Sequence, residues 1–136
     1  LKESMRLFPP VWGFSRLAEV PDQVDGYRIP KGTMVFVSPW VLHRDPMLYP
    51  NPEGFEPSRF RGKSLQALPK CSYMPFGAGS RQCIGAAFAM MEAKVVLATL
   101  AQRYRFFLEM GHRVQGDAVI TYRPLHGMRM TVHRRG

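Results

Sequence analysis

Cys83 lies in the run Phe76-Gly77-Ala78-Gly79-Ser80-Arg81-Gln82-Cys83-Ile84-Gly85, a glycine-bearing loop that leads into an apolar helical pattern. From Ile84 to about Tyr104, the residues Ile84, Phe88, Met91, Val95 and Ala98 recur at three- and four-residue steps, with Glu92, Lys94, Gln102 and Arg103 off that stripe. The spacing predicts a helix with Cys83 at its start. A sulfur there faces unpaired N–H groups and the positive end of the helix dipole, with Arg81 two residues away, and all three favour a thiolate. Such a sulfur is primed as a metal ligand or a nucleophile. Gly77 and Gly79 allow backbone turns and the close approach of a flat ligand, on which Phe76 can pack by face or edge. A single soft thiolate beside an apolar wall suits iron held in haem, where thiolate ligation pushes electron density toward bound oxygen.

The same residues carry other readings. A buried cysteine is often inert packing, and a glycine-rich turn before a helix occurs in many folds. As a dinucleotide fingerprint, Gly77-x-Gly79 fails at the third position, Gln82, and no convincing strand leads into it. A cysteine nucleophile needs a base, and the sequence places none of His43, His112, His126 or His133 beside Cys83.

The run from Phe76 to Gly85 resembles the signature loop of the cytochrome P-450 family, the haem-thiolate monooxygenases, in which a phenylalanine, glycines, a basic residue and the ligand cysteine hold fixed spacing. Three further stretches resemble that family in the same order: Glu3-Ser4-Met5-Arg6 its Glu-x-x-Arg helix, His43-Arg44-Asp45-Pro46 a recurrent loop motif, and Phe55-Glu56-Pro57-Ser58-Arg59-Phe60 the segment supplying a second arginine. The similarity therefore covers nearly the whole chain. It implies a mainly helical fold with small β-sheets, of which this chain is the C-terminal portion of one domain without an internal boundary. The implied order is helix, β-hairpin, meander, cysteine loop, long helix, β-hairpin. The chain opens inside a helix pattern at Leu1-Lys2-Glu3, and the family's long upstream helix, which handles protons, is expected to precede it.

The resemblance also implies roles for single residues. Cys83 is the iron ligand of a haem b (iron protoporphyrin IX). Arg16 and Arg81 face its propionates, since carboxylates at a buried cofactor edge need paired charge, and Pro75, Phe76, Gly77, Gly85 and Ala89 surround it. Val11, Gly13, Phe14, Ile120 and Thr121 line the substrate cavity, whereas Trp12 reads as packing. Glu3 and Arg6 stand three apart on one helix face. The resemblance adds burial and brings Arg59 to the same carboxylate through forked hydrogen bonds, with Ser58 where the family often has an acid. His43 reads as packing or a loop hydrogen bond rather than a cofactor contact. The implied reaction inserts one atom of dioxygen into a small apolar organic substrate, using electrons from a ferredoxin or a flavin reductase in an NAD(P)H-dependent chain. Alternatives are a haem-thiolate isomerase, dehydratase or peroxide-using enzyme, and a non-catalytic haem or redox sensor.

Of the 136 residues, 46% are hydrophobic, which places the chain among globular proteins, and no apolar run approaches the roughly twenty residues of a membrane span. Two cysteines, Cys71 and Cys83, are too few for a disulfide framework, and a free thiolate fits a cytoplasmic setting; an anchor in an upstream segment stays open. Nineteen basic against ten acidic residues give a net charge of +9. The cations are spread along the chain, which argues against a nucleic-acid partner. Lys63, Lys70, Arg81, Lys94, Arg103 and Arg105 flank the cysteine loop or its helix, where an acidic electron donor could dock. Tyr27 to Pro30 and Thr33 to Ser38, joined by Lys31-Gly32, read as a hairpin. Pro46 to Pro75, with six prolines, reads as a surface meander. The alternation of Met128, Met130 and Val132 after Pro124-Leu125-His126-Gly127 argues for a second hairpin.

Overall fold

The computed structural model describes residues 1–62 and 67–136. The first helix, α1 (Lys2–Leu7), ends where Pro9 and Pro10 follow, because a proline has no N–H to continue the ladder. Four strands follow as β1 (Phe14–Leu17), β2 (Asp22–Val24), β3 (Tyr27–Ile29) and β4 (Met34–Val37). Their pairing is nested. β2 and β3 form a hairpin, and β1 pairs antiparallel with β4 outside it, Phe14 opposite Val37 and Leu17 opposite Met34.

The strands expected at Tyr27–Pro30 and Thr33–Ser38 are therefore present, but they do not pair with each other. The turn that closes a hairpin is Asp25-Gly26, whose φ values of 47° and 82° are both positive, as a two-residue turn of the primed type needs. Lys31-Gly32 instead returns the chain to β1: the Gly32 N–H donates to the Ala18 carbonyl at 2.7 Å, and the Ala18 N–H to Thr33 at 2.9 Å.

A short helix, α2 (Pro39–Leu42), starts at Ser38, whose hydroxyl caps the Val41 N–H at 3.3 Å. The meander then runs through turns that include the 3-10 turn Pro57–Phe60. Residues 63–66 within it lie outside the described residues. A second 3-10 turn, Gly79–Arg81, leads to the long helix α3 (Ala86–Arg103), which falls inside the interval expected from periodicity.

α3 passes directly into β5 (Tyr104–Leu108), and the nesting recurs. β6 (Gly116–Ala118) and β7 (Tyr122–Pro124) form the inner hairpin, and β8 (Met130–Arg134) pairs with β5 outside it. The strand expected after Gly127 exists, but its partner is β5 rather than the strand just before the turn.

The best-buried region lies where α1 meets the meander and the approach to the cysteine loop. Leu7, Tyr49 and Met74 are buried there among the apolar residues, with Glu3, Arg6, His43 and Ser72 among the polar ones. A small space of about 190 Å³ separates Met5 of α1 from Phe76 of the loop and Met90 of α3.

Candidate functional site

The loop that carries Cys83 is shaped by its glycines and closed by its own backbone. Gly77 and Gly79 sit at φ 74° and 72°, in the left-handed region that a side chain disfavours. The Gly77 N–H donates to the Met74 carbonyl at 3.0 Å, Gln82 to Gly79 at 3.1 Å, and the Cys83 N–H to the Phe76 carbonyl at 2.9 Å. This last bond brings the cysteine back over the start of the loop. The helix cap is Gly85, and Cys83 precedes it by two residues, so the sulfur stands just ahead of the first turn rather than within it. It still adjoins the cap, since a Cβ added at Gly85 would lie 3.8 Å from Sγ.

Cys83 is exposed within this chain and lines a cavity of about 400 Å³. Arg81, Phe76, Gly77 and Pro75 of the loop line it from one side, and Pro10, Val11, Phe14 and Arg16 from the other. Phe14 and Arg16 share a face of β1 because alternate strand residues do. The Arg16 guanidinium lies 4.7 Å from the centre of the Phe14 ring and donates to the Ser15 carbonyl at 2.9 Å. Among the described residues, neither Arg16 nor Arg81 pairs with a carboxylate. The space thus joins one sulfur, two cations without carboxylate partners and apolar walls. That donor set fits a flat, apolar metal cofactor with anionic edge groups.

The other sequence candidates fall differently. Gly85 caps α3 beside the sulfur and Ala89 lies one turn into the helix, its N–H bonded to the Gly85 carbonyl at 2.9 Å; neither is on the cavity wall. Gly13 does not line the cavity either, and a side chain there would run into the Phe36 ring. Ile120 and Thr121 are exposed on the tip between β6 and β7. That tip is tied to the first loop, with the Tyr122 N–H on the Pro10 carbonyl at 2.7 Å and Trp12 Nε1 on the Val119 carbonyl at 3.1 Å. Trp12 packs, its ring 5.6 Å from that of Phe36. Of the five residues expected to face a substrate, the structure brings Val11 and Phe14 to Cys83, and it adds Pro10.

The ion cluster joins α1 to the meander. Arg6 Nε and Nη2 contact the two Glu3 oxygens at 2.7 and 2.8 Å, a forked pair with both side chains buried. The Glu56 N–H donates to the same carboxylate at 2.8 Å. Burial alone would raise the Glu3 pKa, but the hydrogen bonds from Arg6 and Glu56 and the charges of Arg6 and Arg59 hold it below the ordinary carboxylate value. Arg59 joins the group without the expected fork. Its Nε is 3.5 Å from Glu3, while Nη2 reaches the Asn51 carbonyl at 2.9 Å and Glu56 at 3.0 Å. Glu56, three residues before Arg59, thus supplies the acid that Ser58 does not.

His43 is fully buried and bonded on both ring nitrogens: Nδ1 is 3.2 Å from the Arg6 carbonyl, and Nε2 accepts from the Met74 N–H at 3.0 Å. Burial, with Arg6 and Arg44 nearby, pushes its pKa down to about 4 against the opposing pull of the Arg6 carbonyl. It makes hydrogen bonds rather than cofactor contacts. Sequence reasoning missed the rings around it. Tyr73 stacks on His43 at 5.3 Å, and Tyr49, whose phenol burial lifts to about 12, meets its edge at 6.4 Å. The signal was two tyrosines in a proline-rich stretch that otherwise has little periodicity.

Of the cations considered for docking, Lys70, Lys94, Arg103 and Arg105 are exposed, and Lys63 lies outside the described residues. Arg81 belongs to the Cys83 cavity, whereas Arg105 lines a separate one with His133, Arg134 and Arg135.

Comparison with known proteins agrees with this geometry. A family model described as Cytochrome P450 matches residues 1–117. The chain is 46% identical to cyclooctatin synthase of Streptomyces melanosporofaciens over 103 residues, covering 76% of this chain and 22% of that protein. It is 39% identical to human cytochrome P450 4V2 over 140 aligned positions, covering 99% of this chain and 26% of the relative. The chain thus spans roughly a quarter of the length of these curated relatives. Among solved structures, cyanobacterial CYP120A1 with retinoic acid bound superposes with a TM-score of 0.91 at 35% identity, over 98% of this chain and 32% of that one. The fold is the one these structures share, helices with small antiparallel sheets, and the chain belongs to the cytochrome P450 family.

Proposed function

We propose that this chain is the cofactor-holding, C-terminal part of a single haem-thiolate monooxygenase domain acting on an apolar organic substrate. The observation that carries this reading is the meeting of Cys83, Arg81 and Arg16 on one apolar-walled cavity, from two distant stretches of the chain. Cys83 Sγ would ligate the iron of a haem b, and Arg16 and Arg81 would take its two propionates. Bound there, thiolate-ligated iron supplies the electron push that favours cleavage of the dioxygen bond. One oxygen atom enters a substrate C–H bond and the other leaves as water, with two electrons and two protons consumed.

The chain's own residues bind and orient. The Cys83 N–H bond to Phe76 holds the ligand loop closed, and Gly77 keeps side-chain bulk away from the cavity face. Val11 and Phe14 present apolar surface that excludes water and suits a hydrocarbon substrate; retinoic acid, bound by CYP120A1, is a molecule of that character. Exposed Lys70, Lys94 and Arg103 favour an acidic electron donor such as a ferredoxin, whose reduction of the protein should slow as salt screens the charges. No helix among the described residues is long and apolar enough to cross a membrane. A lone thiolate ligand suits a reducing, cytoplasmic compartment.

The test is carbon monoxide binding to the reduced full-length protein. A far-shifted Soret band is expected, and Cys83→Ser should abolish it. A protein that stays colourless with haem supplied, or whose spectrum survives the substitution, would falsify the assignment.

A further inference from the structure

We propose that His43 is a positioning residue for the cysteine loop: its imidazole, held between the Arg6 carbonyl and the Met74 N–H, fixes the backbone from which the loop carrying Cys83 departs. The consequence for haem rests on the function proposed above, whereas the backbone latch stands on the hydrogen bonds alone.

Nε2 receives the Met74 N–H at 3.0 Å, so the ring proton must sit on Nδ1, where it points at the Arg6 carbonyl 3.2 Å away. The His43 carbonyl in turn receives Arg6 Nη1 at 2.8 Å. One residue is thereby bonded to the ion cluster through its backbone and its ring, and to the loop through its ring. Beyond Met74 the chain of bonds continues. The Met74 carbonyl takes the Gly77 N–H at 3.0 Å, and the intervening Phe76 carbonyl takes the Cys83 N–H at 2.9 Å. Pro75, between them, has no N–H of its own, so Met74 carries the last backbone donor before Phe76. The ring has little freedom to swing away, since it is fully buried, with Tyr73 stacked on it and the edge of Tyr49 against it. Those rings are themselves tethered, Tyr73 to the Lys2 carbonyl at 3.0 Å and Tyr49 to that of Ser72 at 2.9 Å.

Two substitutions divide the ring's functions. His43→Gln can place an acceptor near the Nε2 position and keep the Met74 bond; His43→Asn can keep a donor near Nδ1 but leaves the Met74 N–H without its acceptor. In the full-length protein, hydrogen exchange at the Met74 amide should quicken by about tenfold or more in His43→Asn and stay within about threefold of the unaltered protein in His43→Gln, the gap expected of one buried donor left unsatisfied. The Gly32 amide, bonded to the Ala18 carbonyl at the end of the β1–β4 pair, serves as reference and should not change. The far-shifted carbon monoxide band should fade faster in His43→Asn than in His43→Gln. Equal effects in the two variants, or none in either, overturn the proposal. Should His43→Asn fail to fold, nitrogen chemical shifts of the His43 ring in the unaltered protein decide the matter: a proton on Nδ1 is expected, and a proton on Nε2 refutes the latch. A colourless protein in which only His43→Asn loosens Met74 would sink the haem reading and leave the latch standing.

Discussion

All five N–H groups of the Arg6 guanidinium are taken: by both oxygens of Glu3, and by the carbonyls of His43, Pro52 and Gly54 at 2.6–2.9 Å. An exposed pair at this spacing is worth only about 0.2–0.5 kcal/mol. A buried one behaves differently, because removing one partner strands the other charge. Arg6→Ala or Glu3→Gln in the full-length protein should therefore cost about 3–5 kcal/mol, read from urea unfolding midpoints. Arg6→Lys should rescue little, since an ammonium cannot form the fork. A loss below about 1 kcal/mol would mean that the cluster behaves as an ordinary surface pair. His43 adds a pH dependence. Its folded pKa is about 4 against an ordinary 6.5, so between those values the unfolded chain binds a proton that the folded one refuses. Stability from this residue is complete above pH 6.5 and declines as pH falls toward 4, by about 3 kcal/mol across the window. Glu3, with its lowered pKa, extends the loss to lower pH as its carboxylate protonates. Unfolding midpoints at pH 7, 5.5 and 4.5 should show the decline, and His43→Gln should flatten it.

At the scale of elements, the cysteine loop gives two glycines with opposite expectations. Gly77 stands at φ 74°, so Gly77→Ala should strain the turn by about 1–2 kcal/mol and weaken haem retention. Gly85 has a φ of −83°, and a Cβ there meets Cys83 Sγ at an ordinary 3.8 Å. Gly85→Ala should therefore leave the spectrum nearly unchanged; haem loss rates of the two variants make the comparison. The elements also show what a sequence discloses. The long helix and the cysteine loop were readable because one has a sustained period and the other a dense local motif. Strands at 27–30 and 33–38 were readable too, yet their partners were not. Lys31-Gly32 is a turn in both readings, but Asp25-Gly26, with two positive φ values, closes the hairpin. Nesting β2 and β3 inside β1 and β4 is decided by contacts between separated strands, which no single turn encodes. The docking of the tip that carries Ile120 and Thr121 was unreadable for the same reason: the hydrogen bonds from Tyr122 and Trp12 fix where it sits, and both span more than a hundred residues. Arg59 shows a finer limit, since the segment that carries it was legible while the division of its guanidinium between Asn51 and Glu56 was not.

The whole molecule exposes 10670 Å², whereas a folded monomer of 15.5 kDa is expected to expose about 7,200 Å². Part of the excess lies along α3, and exposed apolar side chains recur in the β1–β4, β2–β3 and β5–β8 pairs as well. Phe88, Met91 and Val95, the stripe that periodicity assigns to a buried face of α3, are 58–64% exposed, and Ile84 just before the helix is fully so. Among the described residues, the buried apolar side chains are Leu7, Tyr49 and Met74 with the prolines Pro9, Pro39 and Pro75, a thin core for this mass. Polar order is nevertheless dense around Glu3, Arg6 and His43. A chain that is locally well bonded but has little apolar surface removed from water lacks the main favourable contribution to folding. The 136-residue chain expressed alone should therefore unfold gradually rather than in one cooperative step, and it should bind an apolar dye such as ANS, as loosely packed states do. The full-length protein should unfold sharply and bind little dye. Near-ultraviolet circular dichroism through a urea titration, with dye fluorescence alongside, makes the comparison. A sharp transition without dye binding in the isolated chain would show that it closes its own core, and that the stripe on α3 is surface rather than an interior face.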